Sequence, residues 1–400
     1  MFQLRIRLLG LAVFLVVSSC ANAQIEVTPS DAALVNKILD AHSIEGEPLK
    51  CEIRQQQPIL DFAFRYDVGY VVRCPVKLFE GKASTVLTFV RVTPEGGTSK
   101  ILGEAYGLGE MPAGTRARVD LKKLKAEFDF SGGFSAGEGR YVVDLLVAHK
   151  ESGRACRKSW KVSVSRKHGE AKVPITVPER TAVPMMFYPW SGKPEAIGTG
   201  LRITVLLDAA PIYPFAQKLR AWDRSFLLST LSTVLDHIAC ESVRVVAFNL
   251  DQQREIFRDE LRDQPGLIRL NQAMRDLELG TVSYQVLQRH AGANELLARL
   301  ARTEQGEANP SDLVILLGPH TRYTDKVPPY IFEGLRKSDT DAPQFFYLEY
   351  MPFWLRGAEF ADNLEQVTKA VGGKSYRFYS PADLADSIRK ITEMQQNRRR

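Results

Sequence analysis

Acidic, basic and aromatic side chains follow two apolar runs in the second half of the chain. The run RITVLLD continues into DAAPIYP, and the run DLVILLG continues into GPHTRYTDKVPPY. Arginine and aromatic side chains on proline-flanked loops are typical of protein-binding surfaces. We predict a partner-binding face formed by Asp208, Tyr213, His320, Arg322, Tyr323 and Tyr330.

A third loop, MPFWLRG, follows the apolar run FFYLEY. Phe353 and Trp354 of this loop have two interpretations: they extend the binding face, or they fill the core beneath the loops. Asp208 also has two interpretations. It is a ligand for a hard cation, or it caps the loop or helix that follows the strand.

Sequence patterns of the common catalytic sites do not follow any of the apolar runs. We find no G-x-S-x-G elbow, Walker loop, H-E-x-x-H pair or dinucleotide-binding glycine pattern after a strand. The six histidines are scattered along the chain. We therefore predict a protein that is not an enzyme and has no cofactor, and keep an unrecognised periplasmic hydrolase as an alternative.

The first residues have the pattern of a secretory signal peptide. Arg5 and Arg7 precede an apolar run from Leu8 to Val17, and Ala21-Asn22-Ala23 forms a small-residue cleavage site. We predict cleavage after Ala23 and a periplasmic or secreted chain. The alternative is a lipid anchor at Cys20, because Val17-Ser18-Ser19-Cys20 resembles the lipobox of bacterial lipoproteins. No later segment is apolar enough to be a transmembrane helix.

The charge distribution argues against a nucleic-acid-binding protein. The formal net charge is +6, and removing Arg5 and Arg7 with the signal peptide leaves +4. Positive side chains are interspersed with acidic ones, whereas a nucleic-acid binder usually has a basic stripe with aromatic residues between the charges. Only Arg398–Arg400 forms a basic run.

Four cysteines remain after the predicted cleavage, and none has metal-site spacing. In an exported chain, disulfides are the default. We predict a disulfide between Cys51 and Cys74, because the segments around them are typical of successive strands. The states of Cys156 and Cys240 stay open.

The hydrophobic pattern divides the chain into segments. Residues 1–23 are the signal peptide, and 24–45 contain a leading helix with Ser30 as its predicted N-cap. Residues 46–166 contain short runs rich in Val, Phe, Tyr and Thr, which predict an antiparallel β-sandwich of immunoglobulin-like type. Residues 167–199 contain five prolines and predict a linker. In residues 200–396 apolar strands alternate with amphipathic helices, which predicts a doubly wound α/β fold with a mainly parallel sheet.

The order of elements after residue 200 resembles a von Willebrand factor type A domain of the exported bacterial variety, preceded by a β-sandwich. The matching pieces are RITVLLDAAPIYP, VRVVAFNLDQQREIF, DLVILLGPHTR and FADNLEQVTKAVGGKSYRFYSPADLADSIRKI. The resemblance implies a cation site built from a D-x-S-x-S loop, a distant threonine and an aspartate.

This sequence departs from the family's metal-binding pattern at most positions. Asp208 matches the first aspartate, but Ala210 and Ile212 replace the serines, and Gly318 and Pro319 stand at the positions of threonine and aspartate in the T-D-G pattern. The distant threonine position is matched by Thr281, Ala293 or Asn294, depending on whether TVSYQVLQ is a strand or a helix. We predict a degenerate site without metal.

The combined prediction is an exported, non-catalytic protein-binding or scaffolding protein. Its type A-like domain binds a protein partner without metal, and the sandwich serves as a spacer or second contact. Two alternatives remain: a metal-dependent adhesion module that uses Asp208, and the periplasmic hydrolase.

Overall fold

The computed structural model describes most of the chain in two compact units. The described residues are 24–41, 47–75, 84–108, 127–186, 190, 201–213, 216–279, 286, 291–306, 311–335, 342–355 and 360–399. The first unit contains the described residues up to His168 together with Ile175–Met186. The second contains Gly169–Pro174 and the described residues after Met186.

The first unit begins with a short strand and a helix that packs on an antiparallel sheet. This first sheet has the strand order β1-β6-β5-β8-β9. Helix α1 (Pro29–Asp40) is capped by the Thr28 hydroxyl, not by Ser30 as predicted, and buries Val35 and Leu39 against the sheet. The strands are β1 (Ile25–Glu26), β5 (Ser84–Pro94), β6 (Lys100–Leu108), β8 (Gly139–His149) and β9 (Ala155–Val164).

A second antiparallel sheet completes the first unit. Its strand order is β10-β7-β4-β2, and β3 also pairs with β4. Its last strand lies inside the segment predicted as a linker and pairs with β7. TRARVDLK, one of the short runs on which the β-sandwich prediction was based, lies outside the described residues. The strands are β2 (Glu52–Gln55), β3 (Ile59–Leu60), β4 (Tyr66–Pro75), β7 (Glu127–Ala136) and β10 (Ala182–Pro184).

One disulfide links the two sheets of the first unit. Cys51, just before β2, is bonded to Cys156 of β9, and their Cα atoms are 6.6 Å apart. The prediction of a disulfide is therefore confirmed, but the pairing of Cys51 with Cys74 is wrong. The strands around Cys51 and Cys74 are neighbours, as expected, but Cys74 is fully buried. Burial raises the pKa of its thiol to about 11.

The second unit is built on a six-stranded mixed sheet of order β13-β12-β11-β14-β15-β16. Strands β11, β12, β14, β15 and β16 pair in parallel, and β13 is antiparallel to β12. The strands are β11 (Arg202–Asp208), β12 (Ser242–Asn249), β13 (Arg254–Glu260), β14 (Leu313–Pro319), β15 (Gln344–Tyr350) and β16 (Lys374–Phe378).

Helices connect the strands of this sheet. They are α2 (Ala221–His237), α3 (Gln264–Arg275), α4 (Gly292–Gly306), α5 (Asn363–Ala370) and α6 (Pro381–Arg399), with 3₁₀ turns at Pro329–Phe332 and Phe353–Leu355. In the described part of the chain, no helix has the length and apolar character needed to cross a bilayer. TVSYQVLQ lies outside the described residues except for Val286.

The core of the second unit explains why its strands are continuous apolar runs. Every residue of β14 is buried, as expected for a strand that is covered on both faces. Leu296, Leu300, Leu364 and Val367 from α4 and α5 pack against the sheet. This packing fixes the strand ends that carry the polar residues described below.

The predicted fold class is wrong. The described chain is mostly β-sheet, with two antiparallel sheets and one mixed sheet, and the second unit is not a doubly wound α/β domain. One cause is the turn after β12, where Gln253 has a φ of 49° and the chain reverses into antiparallel β13. Periodicity identifies such a strand, but it does not give its direction.

Candidate binding site at the carboxyl ends of the mixed sheet

Four parallel strands end at one edge of the mixed sheet and bring polar residues together there. Asp208 and Asn249 are the last residues of β11 and β12, and His320 and Thr321 follow β14. Glu349 is the penultimate residue of β15. Because the carboxyl ends of parallel strands meet at one edge, residues far apart in the sequence become neighbours, and ligands of such sheets often bind there.

Asp208 is fully buried, and neither carboxylate oxygen has a hydrogen-bond partner among the described residues. Burial raises the pKa of this carboxyl group well above its ordinary value, and the nearby charges of Asp251 and Asp362 raise it further. An unpaired buried carboxylate is costly, so a neutral Asp208 or a bound cation would relieve this cost.

A small cavity lies beside Asp208. Its volume is about 30 Å³, which is enough for one or two water molecules or a bare ion. Organic ligands occupy pockets roughly ten times larger. The residues that line this cavity are Asp208, Ala210, Pro211, Asn249, Leu250, Asp251, His320, Thr321, Arg322 and Tyr323.

His320 belongs to a buried chain of charged groups that begins at the cavity. Its side chain is 5% exposed, and its Nδ1 lies 2.5 Å from Oε1 of the fully buried Glu349. Arg377 of β16 donates from Nε to the other oxygen of Glu349 at 2.7 Å and from an η nitrogen to Glu365 at 2.9 Å. Burial alone lowers the pKa of His320, but the hydrogen bond to Glu349 and the charges of Asp362 and Glu349 outweigh it and raise the pKa overall.

Asp362 connects helix α5 to this chain of charges. It is the N-cap of α5, and its Oδ1 accepts a hydrogen bond from the Glu365 amide at 2.9 Å. Its Oδ2 accepts from the Thr321 amide at 2.9 Å and from the Tyr347 hydroxyl at 3.0 Å. Burial raises the pKa of Asp362 to about 6, and Glu349 contributes in the same direction.

Asp251 forms the outer rim of the cavity. Its Oδ1 accepts hydrogen bonds from the Arg322 guanidinium at 2.8 Å and from the Tyr323 hydroxyl at 2.7 Å. Burial, and then the bond to Asp251, raise the pKa of Tyr323 to about 12. Arg322 is half exposed, so the rim presents a paired charge to solvent.

Candidate metal ligands are present, but they are already bonded to neighbouring groups. One ligand atom from each of His320, Glu349 and Asp362 lies within 4.8 Å of the others. Each oxygen of Glu349 and of Asp362 already has a hydrogen-bond partner. A carboxylate oxygen can accept a further contact, but His320 Nδ1 and Glu349 Oε1 are only 2.5 Å apart, so a cation held by both atoms would have to separate them.

The positions of the type A pattern also give an incomplete coordination sphere. Asp208 supplies two open oxygens, but Ala210 lines the cavity without an oxygen-bearing side chain. Asn294, one candidate for the distant threonine position, accepts a hydrogen bond from Asn363, which in turn accepts from Thr321. Thr281, the other oxygen-bearing candidate, lies outside the described residues.

An exposed group of aromatic side chains lies on the loops that follow β11 and β15. Tyr213 stacks on Trp354 with ring centroids 4.4 Å apart and contacts Trp222 of α2 at 5.6 Å. Phe353 contacts Trp354 edge to face at 5.0 Å. Their exposed fractions are 45% for Tyr213, 42% for Trp222, 78% for Phe353 and 38% for Trp354. We call these four residues the aromatic surface.

The structure separates the six residues of the predicted partner-binding face. Asp208 is fully buried, and the side chain of His320 is 5% exposed at the cavity. Tyr213, Arg322 and Tyr330 are exposed, and Tyr323 is partly buried at the cavity. Phe353 and Trp354 do not fill the core, so the interpretation that sequence analysis favoured slightly for these two residues is wrong.

Several residues of the site escaped sequence analysis. Glu349, Asp362 and Arg377 complete the buried charge chain, and Trp222 completes the aromatic surface. Glu349 had one recognisable signal, since it is a lone acid in the apolar run FFYLEY. Asp362 had another, since DNLEQ is typical of a helix start.

Comparisons with known proteins leave the family open. No protein-family model and no curated protein matches the chain. The ApaA protein from Bordetella pertussis is 12% identical, covers 30% of this chain and 98% of its own, and has a TM-score of 0.18. A family 123 glycoside hydrolase from Clostridium perfringens is 7% identical over 82% of this chain and 72% of its own, with a TM-score of 0.24. Likenesses this weak carry no argument about fold or function, so the type A resemblance stays a prediction.

Proposed function

We propose that this chain is an exported, non-catalytic protein whose second unit binds a protein partner through the aromatic surface. The observation that carries the proposal is the mutual contact of four large aromatic side chains that remain exposed. Tryptophan and tyrosine are enriched among residues that dominate binding energy at protein interfaces.

The arrangement of the aromatic rings supports a preformed interface. Tyr213 and Trp354 stack nearly parallel, with an angle of 11° between their planes, and Trp222 is anchored on helix α2. Rings that hold one another in place lose little conformational entropy when a partner binds, which favours affinity. Clusters of exposed apolar side chains on soluble proteins usually mark interaction sites.

The cavity beside the titratable groups supports a role without catalysis. At about 30 Å³ it has room for a water molecule or an ion rather than an organic substrate. His320, Glu349 and Asp362 are also engaged with one another and with Arg377 and Tyr347. In this arrangement they link the residues after β14 to the end of β15 and to the start of α5.

Export is supported by the N-terminal pattern and by the disulfide. Residues 1–23 have the order of a cleavable signal, and Cys51 is bonded to Cys156. Disulfides persist mainly in oxidising compartments, such as the bacterial periplasm and the extracellular medium. We therefore propose a periplasmic or secreted location.

Site-specific photocrosslinking in the producing cells tests the protein-binding proposal. A photoreactive amino acid at Phe353 should give a discrete adduct with one protein. The same group at Ile268, a 47% exposed apolar residue of α3, serves as the matched control. The same set of adducts from Phe353 and from Ile268 would contradict the proposal.

The partner identified by crosslinking can then be measured with purified proteins. Trp354→Ala should raise the Kd by about 10-fold or more, as expected for a residue that dominates binding energy. Ile268→Ala should leave the Kd unchanged. An unchanged Kd in Trp354→Ala, with a normal melting temperature, would move the interface elsewhere.

Cation-dependent binding is the second candidate function, and the open oxygens of Asp208 favour it. A Mg²⁺ ion that keeps part of its water shell needs only one or two carboxylates. The test is calorimetric titration of the purified protein with Mg²⁺, Ca²⁺ and Mn²⁺. Micromolar binding that Asp208→Ala abolishes would establish this function, and the absence of binding by all three ions would support the metal-free proposal.

A further inference from the structure

Gln24, which directly precedes strand β1, occupies a buried position in the first unit. The residue is only 6% exposed. Its side-chain Oε1 accepts a hydrogen bond from the Met185 amide at 3.0 Å. Its side-chain Nε2 is buried and has no hydrogen-bond partner among the described residues. Burying an amide nitrogen without a hydrogen-bond acceptor costs free energy. This site therefore satisfies the side-chain oxygen of Gln24 but not the side-chain nitrogen.

Gln24 is also the residue that the proposed cleavage after Ala23 would make N-terminal. Cleavage would place an α-ammonium group beside a side-chain nitrogen that is already buried and unpaired among the described residues. Burying an unpaired charge costs more than burying a neutral amide. After cleavage, the α-ammonium nitrogen and the unpaired Nε2 of Gln24 would both lie at this position, and each would cost free energy in the folded chain.

One reaction of an N-terminal glutamine replaces both groups with a single neutral lactam N–H. The neutral α-amino nitrogen attacks the side-chain carbonyl carbon Cδ and forms a new N–C bond. The C–Nε2 bond breaks, a proton passes from the α-nitrogen to the leaving group, and ammonia departs. The product is a five-membered lactam, pyroglutamate, in which the former side-chain oxygen remains as the ring carbonyl. No oxidant, reductant or cofactor is required.

We propose that residue 24 of the exported chain is a pyroglutamate and that the first unit is built to bury this lactam. The ring carbonyl keeps the acceptor role toward the Met185 amide, and the unpaired Nε2 and the α-ammonium charge are lost. The modified terminus then lies at the start of β1, which pairs with β6 through Ile25 and Gly103. This inference rests on the proposed export with cleavage after Ala23.

Intact-mass measurement of the exported protein is the first test. The chain is produced with residues 1–23 and purified from the compartment to which it is exported. We expect the mass of residues 24–400 less one ammonia. Gln24→Asn is the matched control, because it keeps the amide but would have to close a strained four-membered ring, and its mass should correspond to an open terminus.

A second arm tests the lactam independently of export. A fusion protein cleaved in vitro directly before Gln24 yields the open terminus of the full 24–400 chain. As ammonia is released, the Tm of the first unit should rise by about 2–4 °C, equivalent to roughly 1 kcal/mol for a unit of this size. The Gln24→Asn protein should show no rise over the same time.

The outcomes separate the inference from the export proposal. An exported chain that begins at Gln24 with a free amine, or a lactam that leaves the Tm unchanged or lower, would overturn the inference and leave export intact. A chain that keeps residues 1–23, or that carries a lipid on Cys20, would overturn cleavage after Ala23 and with it the modification.

Discussion

The pKa values of Asp208, Asp362 and His320, which lie near the cavity, are higher in the folded chain than in the unfolded chain. Burial raises the pKa of Asp208, raises that of Asp362 to about 6, and is outweighed at His320 by the carboxylates around it. A group whose pKa is higher in the folded chain contributes its full stabilisation at pH values below its pKa in the unfolded chain. This stabilisation is lost as the pH rises through its pKa in the folded chain. All three groups therefore act in the same direction.

The second unit should consequently lose stability as the pH rises from about 4 to about 8. Asp208→Asn should make this loss smaller and should raise the free energy of unfolding near pH 8, because the variant has no carboxyl group to ionise at this position. Urea unfolding at several pH values measures the effect. Asp276→Asn, at an exposed carboxylate, should follow the wild type, and equal slopes for all three proteins would contradict the prediction.

The pairing of Glu349 with Arg377 gives a second prediction at the residue scale. Glu349 is fully buried, so removing the guanidinium takes away its arginine partner and leaves His320 to face the buried charge. Arg377→Met should cost about 3–5 kcal/mol in the free energy of unfolding. Arg389→Met removes an exposed arginine that also pairs with carboxylates, and its loss should affect the free energy of unfolding far less. Similar losses in the two variants would contradict a buried ion pair.

At the scale of elements, the approach of β11 to β14 depends on a glycine. A Cβ on Gly318 would lie 2.8 Å from Cβ of Asp208 on the neighbouring strand. Contacts this short do not occur between real side chains in a close-packed interior, so the strands would have to separate. The glycine therefore allows Asp208 to sit against β14 at the cavity.

Gly318→Ala should destabilise the second unit by about 1–3 kcal/mol, as overpacking usually does. Gly306→Ala is the control, because a Cβ there meets nothing within 4 Å. That variant should be neutral or stabilising by up to about 1 kcal/mol. Differential scanning calorimetry of the two variants makes the comparison, and a neutral Gly318→Ala would show that β11 and β14 have more room than the structure indicates.

The individual strands of the second unit could be read from the sequence, but their arrangement could not. RITVLLD was expected at 202–208 and forms β11 with those bounds, because a strand buried on both faces is an unbroken apolar run. The direction of β13 depends on a turn at Gln253, which local composition did not reveal. The contacts of Asp362 with Thr321 and Tyr347 join residues 15 to 41 positions apart, and single-sequence patterns carry no information on such pairs.

At the scale of the whole molecule, the division into two units predicts a selective response to reduction. The Cys51–Cys156 bond closes a loop with a sequence separation of 105 and lies entirely within the first unit. Reduction should lower the stability of that unit by about 2–5 kcal/mol. The transition of the second unit should not move.

Calorimetry with and without a phosphine reductant checks this prediction, and peptide mapping identifies the crosslink. Cys74→Ala should retain the crosslink and the response to reductant, and Cys156→Ser should lose both. A peptide that joins Cys51 to Cys74 in the wild type would contradict the structure. The sequence predicted that Cys51 forms a disulfide, but not that Cys156 is its partner. Two strands can be neighbours while their cysteines do not bond to each other.

The charged edge of the mixed sheet also has a consequence for the protein in concentrated solution. Strand β13 is the outer strand at one edge, and five of its seven residues are charged. An exposed edge strand offers its backbone to any other extended chain, and charged side chains oppose such pairing. Self-association through this edge of the sheet is therefore disfavoured.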